Sequence, residues 1–208
     1  MNIECPPTKI IFIRHAHSYA NLKKLPTAKA RQALITDKGI KQVKRLSSGI
    51  LSYDSCGVLE SSRCYVSEFA RSQNTAKCLV DNLKLPLPIQ VDARLNELEL
   101  SRRSIRSLMK LAKRKGVNQA FNLRTKNKNL KEHLDEAMSF VSDIRQNPGR
   151  DTNILIVGHA LKGILLRIAL LGEDKEKFFS YLNMRPKHCS LTLFEYSQAT
   201  GDYTVRTD

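Results

Sequence analysis

Two apolar runs in this sequence end in the same way. Residues 10–13 (IIFI) lead into Arg14-His15, and residues 154–157 (ILIV) lead into Gly158-His159. Runs this rich in β-branched residues suit strands buried on both faces. A polar ring at the end of such a strand is poorly placed for packing and well placed for a ligand. Neutral imidazole is a nucleophile and a proton carrier near neutral pH. The guanidinium of Arg14 is a permanently charged donor fork that suits oxyanions. Either histidine alone reads equally well as a satisfied core or loop residue; two at equivalent positions favour a shared anion site. His15 and His17 also alternate, so an extended chain would put them on one face, where a metal pair is conceivable. No acidic cluster or second histidine pair accompanies them, and no metal is expected. His133 and His188 read as surface or structural residues.

For the two histidines to meet, their strands must be parallel neighbours. The rest of the chain supplies the frame for that. Residues 8–14 form a first strand, followed by a polar loop and a helix. Thr36 is placed as the N-cap of a helix to about residue 51, with Ile40, Val43, Leu46 and Ile50 on one face. A strand over 63–67 precedes a helix over 69–83, which Pro86 and Pro88 end, and 89–91 is a brief strand. Basic helical segments follow at about 102–115 and 130–146, separated by the polar stretch 116–129. A strand over 153–157, a helix over 161–171 and late strands at 190–196 and 203–206 complete the chain. Strands alternating with helices imply an α/β fold, here a single domain over residues 1–208 with a mainly parallel central sheet flanked by helices. Ligands gather at the carboxyl ends of the strands in such sheets.

The motifs along this frame resemble those of the histidine phosphatase superfamily, the phosphoglycerate-mutase-like branch 1. RHAHSYAN (14–21) resembles RHGESxxN and retains Arg14, His15, Ser18 and Asn21. LITDKGIKQ (34–42) is similar to LTxxGxxQ, with Thr36, Gly39 and Gln42 in register. SEFARSQNTA (67–76) resembles SPxxRAxQTA and keeps Ser67, Arg71, Thr75 and Ala76. ARLNE (93–97) resembles the RLNE segment that carries the acidic residue of the mutase branch, and VGHALKGILLRIALLG (157–172) resembles the late strand–His–helix unit. The matches occur in the family's order and span most of residues 8–196. Any one of them is weak; the ordered set is specific.

The resemblance implies a phosphatase that hydrolyses phosphomonoesters through a phosphohistidine on His15. Arg14, Arg71 and His159 would hold the phosphoryl group, with Ser18, Asn21 and Ala160 beside it. Glu97 would be the general acid and base, with Glu99 as a competing acid. Phosphoryl transfer needs mainly positioning and charge stabilisation, so neither metal nor cofactor is implied. Ala16 and Ala160 stand where the family has glycine, which requires a backbone without positive φ at both. Phosphoglycerate mutase activity is the alternative. It is disfavoured by the different continuation after Glu97 and by the short chain. A catalytically silent protein binding phospho-ligands or nucleic acid is the second alternative, disfavoured because all five residues are kept.

Composition agrees with a soluble protein. The 208 residues are 41% hydrophobic and 26% charged, with a net charge of +15. Eleven basic residues lie between Glu99 and Glu132 with no acidic one: Arg102, Arg103, Arg106, Lys110, Lys113, Arg114, Lys115, Arg124, Lys126, Lys128 and Lys131. This segment is read as either a solvated face or a positive rim, part of a cap-like insertion over about 98–147. In the second case Arg102 and Arg103 would meet anionic substrate. The expected partner is a phosphorylated small molecule or phosphoprotein; nucleic acid is a weaker candidate, and no membrane span is expected. Five scattered cysteines without a CxxC pair suggest free thiols in a reducing compartment. A cytoplasmic location follows, with nuclear import through Lys113–Lys115 left open.

Overall fold

The two strands that end in histidine are central neighbours. The computed structural model describes residues 8–25, 30–53, 63–124, 128–146 and 153–207. Strand β1 (Lys9–Arg14) is followed by α1 (Tyr19–Leu22) and α2 (Asp37–Tyr53). Next come β2 (Arg63–Val66), α3 (Ala70–Leu83) and β3 (Ile89–Val91). Helices α4 (Arg102–Lys115), α5 (Val117–Asn122) and α6 (Leu130–Gln146) precede β4 (Ile154–Gly158) and α7 (Ala160–Leu171). The chain closes with α8 (Lys177–Tyr181), β5 (Leu191–Ser197) and β6 (Asp202–Thr207). The sheet order is β3-β2-β4-β1-β5-β6. Strands β1 to β4 pair in parallel, whereas β5 runs antiparallel to β1 and β6 antiparallel to β5. The fold is a single-domain α/β structure with a mostly parallel six-stranded sheet flanked by helices.

Alternation along the central strands builds two cores. Ile10, Phe12, Ile154 and Ile156 pack with residues of α4 to α8, including Leu108, Phe121, Phe140, Leu165 and Phe178. Ile11, Ile13, Leu155 and Val157 face the other way, onto Val43 and Ile50 of α2 and Leu79 of α3. This period-2 division is why both strands are apolar at every position. No helix among the described residues is long and apolar enough to cross a membrane.

Two expectations need correction. The buried face of α2 is formed by Val43, Ser47 and Ile50, with Thr36 at its cap, while Ile40 is 37% exposed. Gly39 takes the inward place in the first turn, because a Cβ there would lie 2.3 Å from the His17 carbonyl oxygen. The stretch 116–129, expected only as a polar separator between two helices, contains α5. Gly116, at φ +89°, breaks the chain away from α4, and Phe121 then packs edge-on against Phe178 and Phe179. Burial of two side chains holds a helix too short to show periodicity in sequence.

Candidate active site

Register places the two histidines. Ile13 pairs with Val157 and Arg14 with Gly158, and the His15 N–H donates to the Gly158 carbonyl at 2.9 Å. Both rings leave the sheet at the same carboxyl edge, with centroids 5.0 Å apart. His15 is 3% exposed and His159 is fully buried.

The His15 ring is held in one tautomer. Its Nδ1–H donates to the Ala16 carbonyl at 2.8 Å. Nε2 therefore carries the lone pair, which accepts from Arg71 Nε at 3.1 Å. Burial drives the His15 pKa well below its usual value, and the charges of Arg71 and Arg14 add to that against the Ala16 bond. The ring is neutral and nucleophilic at neutral pH.

Arg71 enters from the first turn of α3 and is 5% exposed. It donates to the Ala30 carbonyl at 2.9 Å, reaches His159 Nδ1 at 3.4 Å, and stacks over Phe69 at 4.7 Å. Burial pulls its pKa down to about 10, with Glu97 opposing and Arg14 assisting, so it stays charged at neutral pH. His159 Nε2 lies 2.7 Å from Ser67 Oγ and 3.3 Å from Ser72 Oγ. Its pKa is also well below normal, through burial and then the neighbouring His15 and Arg71.

Arg14 is clamped by the segment before β5. One terminal nitrogen donates to the Pro186 carbonyl at 2.7 Å and the other to His188 Nε2 at 3.0 Å. Arg14 Nε is buried and has no hydrogen-bond partner among the described residues. Of the two expected readings, surface or structural, His188 takes the structural one: it is partly buried and bonded to Arg14. Its ring lies 5.5 Å from that of His15 and 5.7 Å from that of His17. The antiparallel docking of β5 on β1 puts it there, and the sequence holds no signal for that pairing. Ser72 was missed as well: it follows Arg71 directly on the helix, and adjacency in sequence gives no sign that its hydroxyl lies 3.3 Å from His159.

The remaining motif residues shape the loop. The Ala16 N–H donates to Thr75 Oγ1 and the His17 N–H to Gln42 Oε1, at 3.0 and 2.9 Å. Ser18 caps α1, with Asn21 Oδ1 accepting from both its N–H and its hydroxyl at 3.0 and 2.8 Å. In this structure Asn21 is therefore engaged with Ser18. Neither Ala16 nor Ala160 has positive φ. Ala160 opens α7, where the first turn meets Glu97. Glu97 Oε1 accepts from the N–H groups of Leu98 and Lys162 at 3.1 and 3.2 Å, and Oε2 from Leu161 at 3.4 Å. Its charge is felt by both Arg14 and Arg71. Glu99 instead lies 3.7 Å from Arg31.

Other expected residues have surroundings of their own. Arg103 is exposed on α4 and forms no hydrogen bond or ion pair among the described residues; the Arg102 side chain lies outside them. His133 is 3.2 Å from Glu136. His17 Nδ1 is 2.9 Å from Thr36 Oγ1, and no cluster of three or more potential metal ligands occurs among the described residues. Cys64, Cys78 and Cys189 are free thiols; Cys5 and Cys56 lie outside the described residues. A surface groove of about 400 Å3, lined by Met109, Lys113, Val117 and Phe179 among others, contains none of the expected site residues.

Solved structures of this fold agree with the frame. The alpha-ribazole phosphatase of Shigella flexneri superposes with a TM-score of 0.67 at 21% identity, covering 96% of this chain and 95% of its own. The phosphoserine phosphatase of Entamoeba histolytica, solved with 3-phosphoglyceric acid, gives 0.68 at 15% identity, covering 96% and 95%. A mycobacterial glucosyl-3-phosphoglycerate phosphatase gives 0.65 at 15% identity, covering 96% and 98%. No curated protein matches the chain by sequence. A family model does, along residues 10–208, and it runs through every motif gathered at this sheet edge. The chain belongs to the histidine phosphatase superfamily, branch 1.

Proposed function

We propose that the protein is a phosphomonoesterase that works through a phosphohistidine on His15. The observation that carries this reading is the state of His15: Nδ1–H anchored on Ala16, and Nε2 with its lone pair facing the Arg71 guanidinium. A neutral imidazole aimed at a buried cationic fork is a nucleophile waiting beside an oxyanion holder.

In the first step Nε2 attacks phosphorus as the ester P–O bond breaks. Arg71 turns its donors from His15 to the phosphoryl oxygens, joined by Arg14 and by His159. Glu97, as the general acid, passes a proton to the departing alkoxide. In the second step Glu97 takes a proton from water, which attacks phosphorus while the P–N bond breaks. Inorganic phosphate leaves and His15 is neutral again. The oxygens carry the developing charge, so fixed donors supply most of the stabilisation. Ser18 holds the loop, and Ala160 brings the start of α7 to the pocket.

The structural neighbours named above are phosphatases of phosphorylated small molecules, which favours hydrolysis over mutase chemistry and a small phosphoester as substrate. The reading needs no metal or cofactor. The test is hydrolysis of an aryl phosphate with chelator present, by wild type and His15→Ala. Phosphate release that the substitution abolishes, with acid-labile phosphate trapped on the wild-type chain, is the expected result. Turnover that survives in His15→Ala would overturn it.

A further inference from the structure

Resting on that reading, we propose that His188 is a positioning residue: by accepting a hydrogen bond from Arg14 it aims the Arg14 Nε–H at the phosphoryl group. Three observations lead there. A guanidinium can only donate, so the 3.0 Å contact between Arg14 and His188 Nε2 makes that nitrogen an acceptor and puts the ring proton on Nδ1. Pro186 holds the other terminal nitrogen of Arg14 at 2.7 Å. With both ends of the fork engaged, the buried Nε–H is left without a partner among the described residues. A buried charged donor without an acceptor is costly, and a phosphoryl oxygen is the acceptor that the pocket chemistry supplies.

The backbone is built for this clamp. The Cys189 N–H donates to the Arg14 carbonyl at 2.9 Å, and the Arg14 N–H donates to Ser190 at 3.3 Å. Ser190 closes a turn back onto Lys187 at 3.1 Å. Cys189, inside that turn, has φ +60°, a left-handed conformation that costs a residue with a Cβ. Such strain persists where the surroundings over-determine it. Here the same turn grips the main chain of Arg14 and presents His188 to its side chain.

The acceptor state survives at working pH. Burial lowers the His188 pKa to about 4, and Arg14, His17, Lys38 and Arg71 all push the same way. The His15 ring also faces it. His188 is therefore a neutral strut among cations, and a cationic His188 would lose the bond and repel Arg14.

Asparagine and leucine have nearly the same shape, but only asparagine offers an acceptor. The test compares wild type, His188→Asn and His188→Leu in binding of inorganic orthovanadate and in kcat and KM for an aryl phosphate. His188→Asn is expected to stay within about threefold of wild type, while His188→Leu loses about 10- to 100-fold in kcat/KM and in vanadate affinity. Equal behaviour of the two variants would overturn the proposal. His188→Ala replaces the leucine variant if that fails to fold, and equality with His188→Asn then has the same meaning. A split in vanadate binding without turnover in any variant supports the clamp and sinks the phosphatase reading. Turnover with no split does the reverse.

Discussion

His15 and His159 stand with ring centroids 5.0 Å apart because the strands that carry them are paired in parallel, with Ile13 opposite Val157. Two residues 144 positions apart in sequence thereby share one edge and one guanidinium. Burial and the cations Arg71 and Arg14 disfavour a positive charge on either imidazole, and His15 adds to that for His159. The pair is an uncharged floor under a positively charged rim, which suits an incoming dianion.

That arrangement makes the fold sensitive to acid. His15, His159 and His188 all have folded-state pKa values below the ordinary 6.5. The unfolded chain therefore takes up protons first as pH falls, and stability declines below about 6.5 while staying flat above it. Each histidine contributes up to about 1.4 kcal/mol per pH unit in that window. Urea unfolding at pH 7.5, 6 and 5 checks this. A midpoint independent of pH over that range would contradict it.

Assignment of the acid can be read from the leaving group. Glu97→Gln should lower kcat by about 100-fold or more for an alkyl phosphate, the usual scale of general acid catalysis. The loss should be smaller for an aryl phosphate whose phenol leaves without help. Glu99→Gln should change either rate little, because its carboxylate faces Arg31. The opposite ranking would move the acid role to Glu99.

Behind Glu97 lies a fully buried lysine. Lys162 Nζ donates to Glu136 at 3.1 Å and to the His133 carbonyl at 3.2 Å. Burial pushes the Glu136 carboxyl up, but His133, Lys128 and Lys162 hold it down to about 2. Glu136→Ala strands a buried ammonium and should cost about 3–5 kcal/mol. Lys162→Met should cost less, because Glu136 is only half-buried and keeps Lys128 and His133. Denaturant midpoints of both variants test the asymmetry.

Helix α7 reaches β1 closely at one point. A Cβ on Gly163 would lie 2.6 Å from the Phe12 ring. Gly163→Ala should destabilise by about 1–3 kcal/mol through overpacking, and Phe12→Leu should recover part of that loss. Additive effects in the double variant would show that the two do not touch.

The exposed cations of α4 are either a solvated face or a positive rim, and substrate charge separates the two. Neutralising Arg103 and Arg106 should raise KM for a bisphosphorylated ester by up to about fivefold, the scale of exposed charge pairs. It should leave an aryl monophosphate unaffected, and high salt should erase the difference. Unchanged kinetics on both substrates would assign these residues to a solvated face.

Much of the frame was legible from local pattern. Fully apolar runs at 10–13 and 154–157 announce strands covered on both faces, and Thr36 and Pro86 punctuate the helices beside them. The motif order pointed to His15, His159, Arg14 and Arg71 before any contact was known, and those four meet in one pocket. What local pattern could not carry was the partner of each group. That β5 docks antiparallel on β1, making His188, expected only as a surface or structural residue, the acceptor for Arg14, depends on strands that pair across the chain. That Gly39 rather than Ile40 faces inward depends on how near the His17 carbonyl comes. That Glu97 rather than Glu99 meets the first turn of α7 depends on where a loop crosses a helix end. Residue types and spacing decided which chemistry this protein could hold; long-range packing, which no local pattern encodes, decided which atoms face one another.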